Sequence, residues 1–445
     1  DTGQAAAAGD TVLVCAGTYD TAGVSDEVSY QPVNSGSAGN PIVFRAVGTV
    51  TLTLSSNGSA IGSHNADYIT WDGFTINDST DPQFDADGLV HCQDADHLTL
   101  TNLRLIGRNE VGLEGNNYAG VFFTTCDFLE ISHSTISNFG SGDAGEDENQ
   151  AGIIGYYNSG DITIEHNEFY ECGTGYYNKA QVSTAPPPYD VGETGRSVFR
   201  FNLLHNNKQG IRHHRSPYAS GHEWLVYQNV FYDHTLAGVV VESFDLGDTD
   251  PKRGIYVNNT FVDNGDYGIR ILNLAASSGF EIRNNIFSGA QYAVNYAGAT
   301  YSADRFALDR NQGNGQGTAY GAISTTDYTL ANWKTATSED DNSISTAPTF
   351  DNAGADDYHL TSNGQAALTL GRVVYSIGGT NGDTIPAGAY ITGSETIGPD
   401  AGGATVPDAP TIGTATAGNG QCSVAFTPPG DDGGSTITGY TATST

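Results

Sequence analysis

Lys179, Arg212, His214 and Tyr177 are the residues of this chain whose types and spacing suit chemistry. A lysine and an arginine beside histidine and tyrosine are what β-elimination of a uronic-acid polysaccharide requires. A proton α to a carboxyl group must be removed, the anion that develops needs a cation beside it, and the leaving oxygen needs a proton. A lysine near other cations can act as the base. Arg212 then faces the carboxylate, and Tyr177 or His214 protonates the leaving oxygen. Tyr156, Arg215, Glu242 and Arg270 are the expected substrate-binding residues. Charge singles this region out. The chain carries 17 Lys and Arg against 51 Asp and Glu, a net charge of −34, yet ten of the 17 cations fall between positions 179 and 283.

What must position these residues is a repeat. "ITIEHNEFYECG", "VFRFNLLHNNKQG", "LVYQNVFYDHTLAG", "GIYVNNTFVDNGDYG" and "FEIRNNIFSGAQYA" each alternate apolar residues, then place an Asn, then an apolar residue two positions later. The asparagines are Asn167, Asn202, Asn229, Asn259 and Asn285, with Ser134 in that slot one step earlier. Alternation implies strands. An uneven period near 30 residues, with no helical pattern between the strands, fits a coil of three short strands per turn. Turns stack at the ~4.8 Å strand spacing, and inward asparagines form amide ladders. The expected fold is all-β, a parallel β-helix (solenoid). A β-sandwich with similar strands gives no reason for the recurring Asn.

Each repeat runs through a glycine into another strand: "GIIGY", "GYYNK", "GIRHH", "GVVVE", "GIRIL". Residues one and three after the glycine are mostly apolar, so period two turns the second and fourth outward. The outward pairs are Ile154/Tyr156, Tyr177/Lys179, Arg212/His214, Val240/Glu242 and Arg270/Leu272. Lys179 and Arg212 therefore fall on neighbouring rungs, with His214 directly beside Lys179. His213 points inward, as a hydrogen-bonded core histidine. Arg215 follows at the loop, and "STAPPPYDVGETG" walls the groove.

Composition bounds the partners. So acidic a chain disfavours nucleic acid, which is bound by clustered Lys and Arg. No apolar run approaches the ~18 residues of a membrane span. The five cysteines are too few and too widely spaced for a zinc motif or a disulfide framework, and read as buried free thiols. The expected setting is secreted or cell-surface, and the expected partner an anionic polysaccharide.

"AAAAGDTVLVCAGTYD" resembles the opening of right-handed β-helix proteins of the pectate-lyase-like superfold, which implies a short helix capping the first coil. "ANWKTATSEDDNSISTAPTF" through "IPAGAYI" resembles the closing segment of many secreted bacterial β-helix proteins. The implied organisation is a capped β-helix over 1–300, C-terminal coils and a capping segment over 301–400, and a linker at 401–406. Residues 407–445 resemble the first strands of a fibronectin type III domain, too few to close a sandwich of ~100 residues. The implied domain is partial, both ends read as fragment boundaries, and cell-surface attachment through the missing C-terminal region is expected.

The rung constellation is similar to that of the chondroitinase B and alginate lyase family, in which a Lys base and an Arg sit on adjacent coils with calcium nearby. The likeness assigns Lys179 as base and Arg212 as the arginine. The family's Glu-x-Glu calcium ligands are missing from "FYECGTGYYNK". The nearest substitute is "GDAGEDENQ", where Glu146, Asp147 and Glu148 can offer oxygens to Ca²⁺. A solvated acidic loop is the alternative. Two other functions stay open. A polysaccharide hydrolase needs two carboxylates about 5–9.5 Å apart, for which Glu242 and Asp245 are the candidates. A non-catalytic adhesin or rod needs no cationic stripe at all.

Overall fold

The computed structural model describes residues 5–21, 28–54, 58–78, 88–108, 117–140, 149–156, 161–179, 196–214, 223–242, 253–272, 279–297, 306–317, 319–361, 366–372, 384–385, 387–391, 395–399, 411–418 and 421–427. Each turn of the coil contributes three strands, such as Thr174–Lys179, Arg196–Arg200 and Leu203–His205. The next turn lays Gln209–His214, Glu223–Tyr227 and Val230–Tyr232 on them in parallel. The first strand of each turn builds a 12-stranded sheet in chain order, which carries the candidate site. The other two strands form a 19-stranded set. Strict two-residue alternation enforces this stacking, since a one-residue slip would exchange Ile211 for Arg212 in the core.

The bends are held by asparagine. Asn167 donates Nδ2 to Asn202 Oδ1 at 3.1 Å, and the same oxygen accepts the Asn167 backbone N–H at 3.0 Å. The pattern repeats from Asn202 to Asn229, to Asn259, to Asn285. It then continues to Asn311, one rung beyond the repeat legible in the sequence. Asn311 Nδ2 hands on to Asp340 Oδ1 at 2.9 Å, while Trp333 Nε1 donates to Asp340 Oδ2 at 3.0 Å. Along the ladder each Nδ2 donates to the Oδ1 of the following coil, so the run ends on a carboxylate. Burial raises the Asp340 carboxyl above its ordinary range, against the pull of these hydrogen bonds.

The recurring glycines have a packing reason. A Cβ on Gly238 would stand 2.5 Å from Phe261 Cδ1, and one on Gly268 2.5 Å from Phe287 Cδ1. The glycine in the first strand makes room for the ring of the third. Phe231, Phe261 and Phe287 stack through the core at 4.8 and 4.9 Å.

Helix Leu330–Thr337, capped by Thr329, lays Trp333 across Gly321 and Tyr320 and closes the last coil. The chain then runs back along the outside. Tyr358 and Ala389 pack on Val230, Tyr232 and Val262, and Ile391 on Leu225, Tyr227, Ile255 and Val257.

Several expectations need correction. Residues 5–10 are not helical, so the described residues hold no cap helix ahead of strand Thr11–Asp20. Cys15 is exposed, while Cys92, Cys126 and Cys172 are buried thiols outside any disulfide, as expected. From the fibronectin-like segment a single antiparallel hairpin is described, Thr411–Gly418 with Gln421–Thr427, which does not establish that domain. Among the described residues no helix is long and apolar enough to cross a membrane.

The ladder is testable at two points. Asn229→Ala removes the acceptor of two donors and strands two carbonyls, and is expected to cost about 3 kcal/mol of unfolding free energy. Asp340→Asn turns an NH₂ toward either Trp333 Nε1 or Asn311 Nδ2 and is expected to cost about 1–3 kcal/mol. Denaturant and thermal unfolding midpoints measure both.

Candidate functional site

The strand register brings the predicted residues together. Lys179 is the direct neighbour of Tyr156 on one side and His214 on the other. Tyr177 pairs with Ile154 and Arg212, and His214 with Glu242. Two outward rows result. One runs Phe122, Ile154, Tyr177, Arg212, Val240, Arg270, and the other Thr124, Tyr156, Lys179, His214, Glu242, Leu272.

The N-terminal half of this face is apolar. Tyr177 is only 4 % exposed and packs with Ala119, Phe122, Ala151 and Ile154, with Tyr156 at the margin. Its ring is a floor rather than an open platform. The Lys179 ammonium lies 5.8 Å and the Arg212 guanidinium carbon 5.5 Å from its centroid, distances at which the ring's negative face attracts a cation.

Lys179 folds back across the sheet. Its Nζ donates to Asn117 Oδ1 at 2.9 Å and to Asn149 Oδ1 at 2.5 Å. Each asparagine immediately precedes a strand of an earlier coil, Tyr118–Thr124 or Gln150–Tyr156. Asn117 escaped the sequence reading, and Asn149 was grouped there with the acidic loop. A signal existed: both stand three residues before a repeat glycine, Gly120 and Gly152.

Arg212, His214 and Glu242 form one network. Glu242 Oε2 accepts from Arg212 and lies 3.1 Å from His214 Nδ1. A carboxylate only accepts, so His214 carries its proton on Nδ1 and presents Nε2 elsewhere. The hydrogen bond from His214, followed by the charge of Arg212, outweighs burial and holds the Glu242 carboxyl at about 2. Such a group stays ionised and cannot serve as a general acid.

Arg270 stands two coils beyond Arg212 in the same row. Other cations of the enriched stretch lie elsewhere: Arg200 and Arg283 belong to the 19-stranded set and pair with Glu165 and Glu281. The charge concentration along the sequence is thus divided between faces. Arg215, Glu146, Asp147, Glu148 and Asp245 lie outside the described residues. Among the described residues no group of His, Cys, Asp and Glu is arranged to hold a metal ion.

His213 points inward as parity requires, among Tyr176, Trp224 and Tyr256. The expectation of a hydrogen-bonded core histidine is not met among the described residues, where neither ring nitrogen has a hydrogen-bond partner. Burial lowers its pKa to about 3. His234, also buried, falls to about 3 and His91 to about 4.

Residues 59–245 match the family model described as a right handed beta helix region, which fixes the hand of the solenoid. The fold is similar to that of pectate lyase Pel9A, with 14 % identity and a TM-score of 0.52 over 86 % of this chain and 88 % of that one. A PL6 alginate lyase in complex with a trisaccharide aligns with 14 % identity and a TM-score of 0.46 over 88 % of this chain and 90 % of that one. No curated protein matches the sequence. At these identities the likeness is one of fold.

The buried histidines set a pH dependence. The unfolded chain binds a proton at each near pH 6.5, which the native core refuses down to about 3 at His213. Their contribution is therefore intact above pH 6.5 and is lost as pH falls through the window from 6.5 to 3. His213→Leu is expected to flatten the decline, gaining about 2 kcal/mol over the parent at pH 5 relative to pH 7.5. Unfolding midpoints across that range measure it, and an unchanged slope would refute the assignment.

Proposed function

We propose that this chain binds an acidic, uronate-containing polysaccharide on the outer face of the 12-stranded sheet and cleaves it by β-elimination. The observation that carries the reading is the register of Lys179, His214, Arg212 and Glu242 on three consecutive strands. A pectate lyase of similar fold supports the substrate class. A secreted or cell-surface location goes with it.

The roles follow from the hydrogen bonds. A neutral Lys179 amine keeps both N–H bonds to Asn117 and Asn149 and retains one lone pair, which takes the proton α to the substrate carboxyl group. The C–H pair becomes the C=C bond and the glycosidic C–O bond breaks. His214, oriented through Nδ1–H by Glu242, enters the step as the imidazolium, gives its Nε2 proton to the leaving oxygen and is left neutral with its proton on Nδ1. Arg212 faces the carboxylate on which charge develops. Tyr177 supports both cations from below rather than donating a proton. Calcium belongs to the proposal through Glu146, Asp147 and Glu148, and a chelator arm of the assay reads it.

A non-catalytic rod is the second reading. It is favoured by the internal bonding of the same cations, Lys179 to two amides and Arg212 to Glu242. The hydrolase reading loses ground, since Glu242 is engaged by Arg212 and His214.

Incubation with pectate, alginate and glycosaminoglycans, with calcium or with chelator, decides between the two. Elimination gives the ultraviolet absorbance of an unsaturated uronate. Lys179→Gln and His214→Gln are each expected to lower that rate by about 10²–10⁴. Absence of absorbance on every uronate, or an undiminished rate in Lys179→Gln, would leave the rod.

A further inference from the structure

We infer that Arg270 and Tyr267 form a second anion subsite on this face, and that with Arg212 they select a polysaccharide whose carboxylates recur on one side at every second residue. The inference rests on the proposed uronate-polysaccharide reading and deepens it.

Among the described residues Arg270 differs from most half-buried arginines of this chain. Arg45, Arg108, Arg200, Arg212 and Arg283 each have an acidic partner: Asp72, Asp78, Glu165, Glu242 and Glu281. Arg270 has none among the described residues, and its Nε is buried without a hydrogen-bond partner. Its register neighbours, Val240 and Asn295, are neutral. Glu242 stands two residues along the adjacent strand but is engaged by Arg212 and His214. A half-buried guanidinium that has no acidic partner among the described residues is a vacancy for an anion supplied from outside. A planar fork of N–H donors fits a carboxylate.

The surroundings fit a sugar that bears it. The Arg270 guanidinium carbon lies 4.8 Å from the Tyr267 ring centroid, which fixes the plane of the fork. Tyr267 stacks on Tyr292 of the next coil at 5.7 Å and 18°. Both tyrosines are only partly buried, so apolar ring surface remains at this site for a sugar to pack against.

Spacing supplies the selectivity. Arg212 and Arg270 are separated by one intervening strand, where Val240 is 2 % exposed and uncharged. Two strand spacings amount to about 9.6 Å. One pyranose of an extended chain rises by nearly one such spacing. A chain laid along the axis therefore presents residue n to Arg212 and residue n+2 to Arg270. A polymer that turns over at each residue places the carboxylates of n and n+2 on the same side, and that of n+1 away from Val240.

The test reads binding by titration calorimetry, in a Lys179→Gln background so that ligands stay intact. The probes are galacturonate and mannuronate oligomers of two and four residues, with carboxyl-reduced tetramers alongside. Arg270→Gln is expected to weaken the tetramer about tenfold, the loss of one charge-assisted contact, and to leave the dimer unchanged. Arg270→Lys is expected to recover part of the loss, and the melting temperature is expected to change little, because the described residues give Arg270 no ion pair and only the cation–π contact with Tyr267 is lost. Equal weakening of both lengths, no weakening of the tetramer, equal affinity for the reduced tetramer, or no binding of either series would overturn the subsite. Product absorbance with Lys179 intact reads the elimination separately. Absorbance without the length effect sinks this inference alone, and the length effect without absorbance sinks the elimination alone.

Discussion

Six consecutive turns of the coil bend at a non-glycine residue in the left-handed region: His166, Phe201, Gln228, Asn258, Asn284 and Arg310. Each such conformation costs roughly 1–2 kcal/mol for an L-residue. The asparagine that follows each one holds the bend. From Asn202 to Asn311 its Oδ1 takes two donors from the coil before, and in all six its Nδ2 donates to a carbonyl of the previous coil. Asn167, Asn202, Asn229 and Asn259 also reach the carbonyl two residues back. Every one of these asparagines is buried, so an unmet amide there would have no water to turn to. Bend and ladder therefore stand or fall together. Asp340, anchored by Trp333 and Ser343, ends the series where the helix closes the coil.

Identical bends make identical turns, and identical turns make a grid. On the outer face of the 12-stranded sheet, one residue per strand stands in register with its neighbours and the next outward one lies two positions along. Charge placed on such a grid interacts at fixed spacing. Glu242 can meet both Arg212 and His214 because one lies diagonal to it and the other directly opposite. Arg270, one strand further, is diagonal to Glu242 as well, but that carboxylate is already taken. Among the described residues, the lattice that satisfies one arginine leaves the other without a carboxylate.

The same regularity limits what the core tolerates. His213 occupies a slot that its neighbouring strands fill with Asn178 and Val241. Burial among aromatic rings keeps it neutral. The C-terminal segment answers a different need. Val230, Tyr232 and Val262 face outward on the third strands, and Tyr358 and Ala389 cover them. The chain that leaves the end of the coil thus returns to shield apolar surface that the repeats leave uncovered.

Much of this was legible in the sequence. Alternation with a recurring Asn specified a parallel coil, and parity after the repeat glycines specified the pairing of Lys179 with His214 and of Tyr177 with Arg212. Those features are local and periodic, so they need no knowledge of what lies far away. The sequence did not reveal Asn311 or Asp340, because the last ladder positions sit outside the repeat's apolar frame. Nor did it reveal which way Lys179 turns. Asn117 and Asn149 are 62 and 30 residues distant along the chain, and period two fixes the face of a side chain but not its rotamer. The partners of a long flexible cation are chosen among whatever stacking brings within reach. That choice, like the vacancy at Arg270, exists only once the turns are wound.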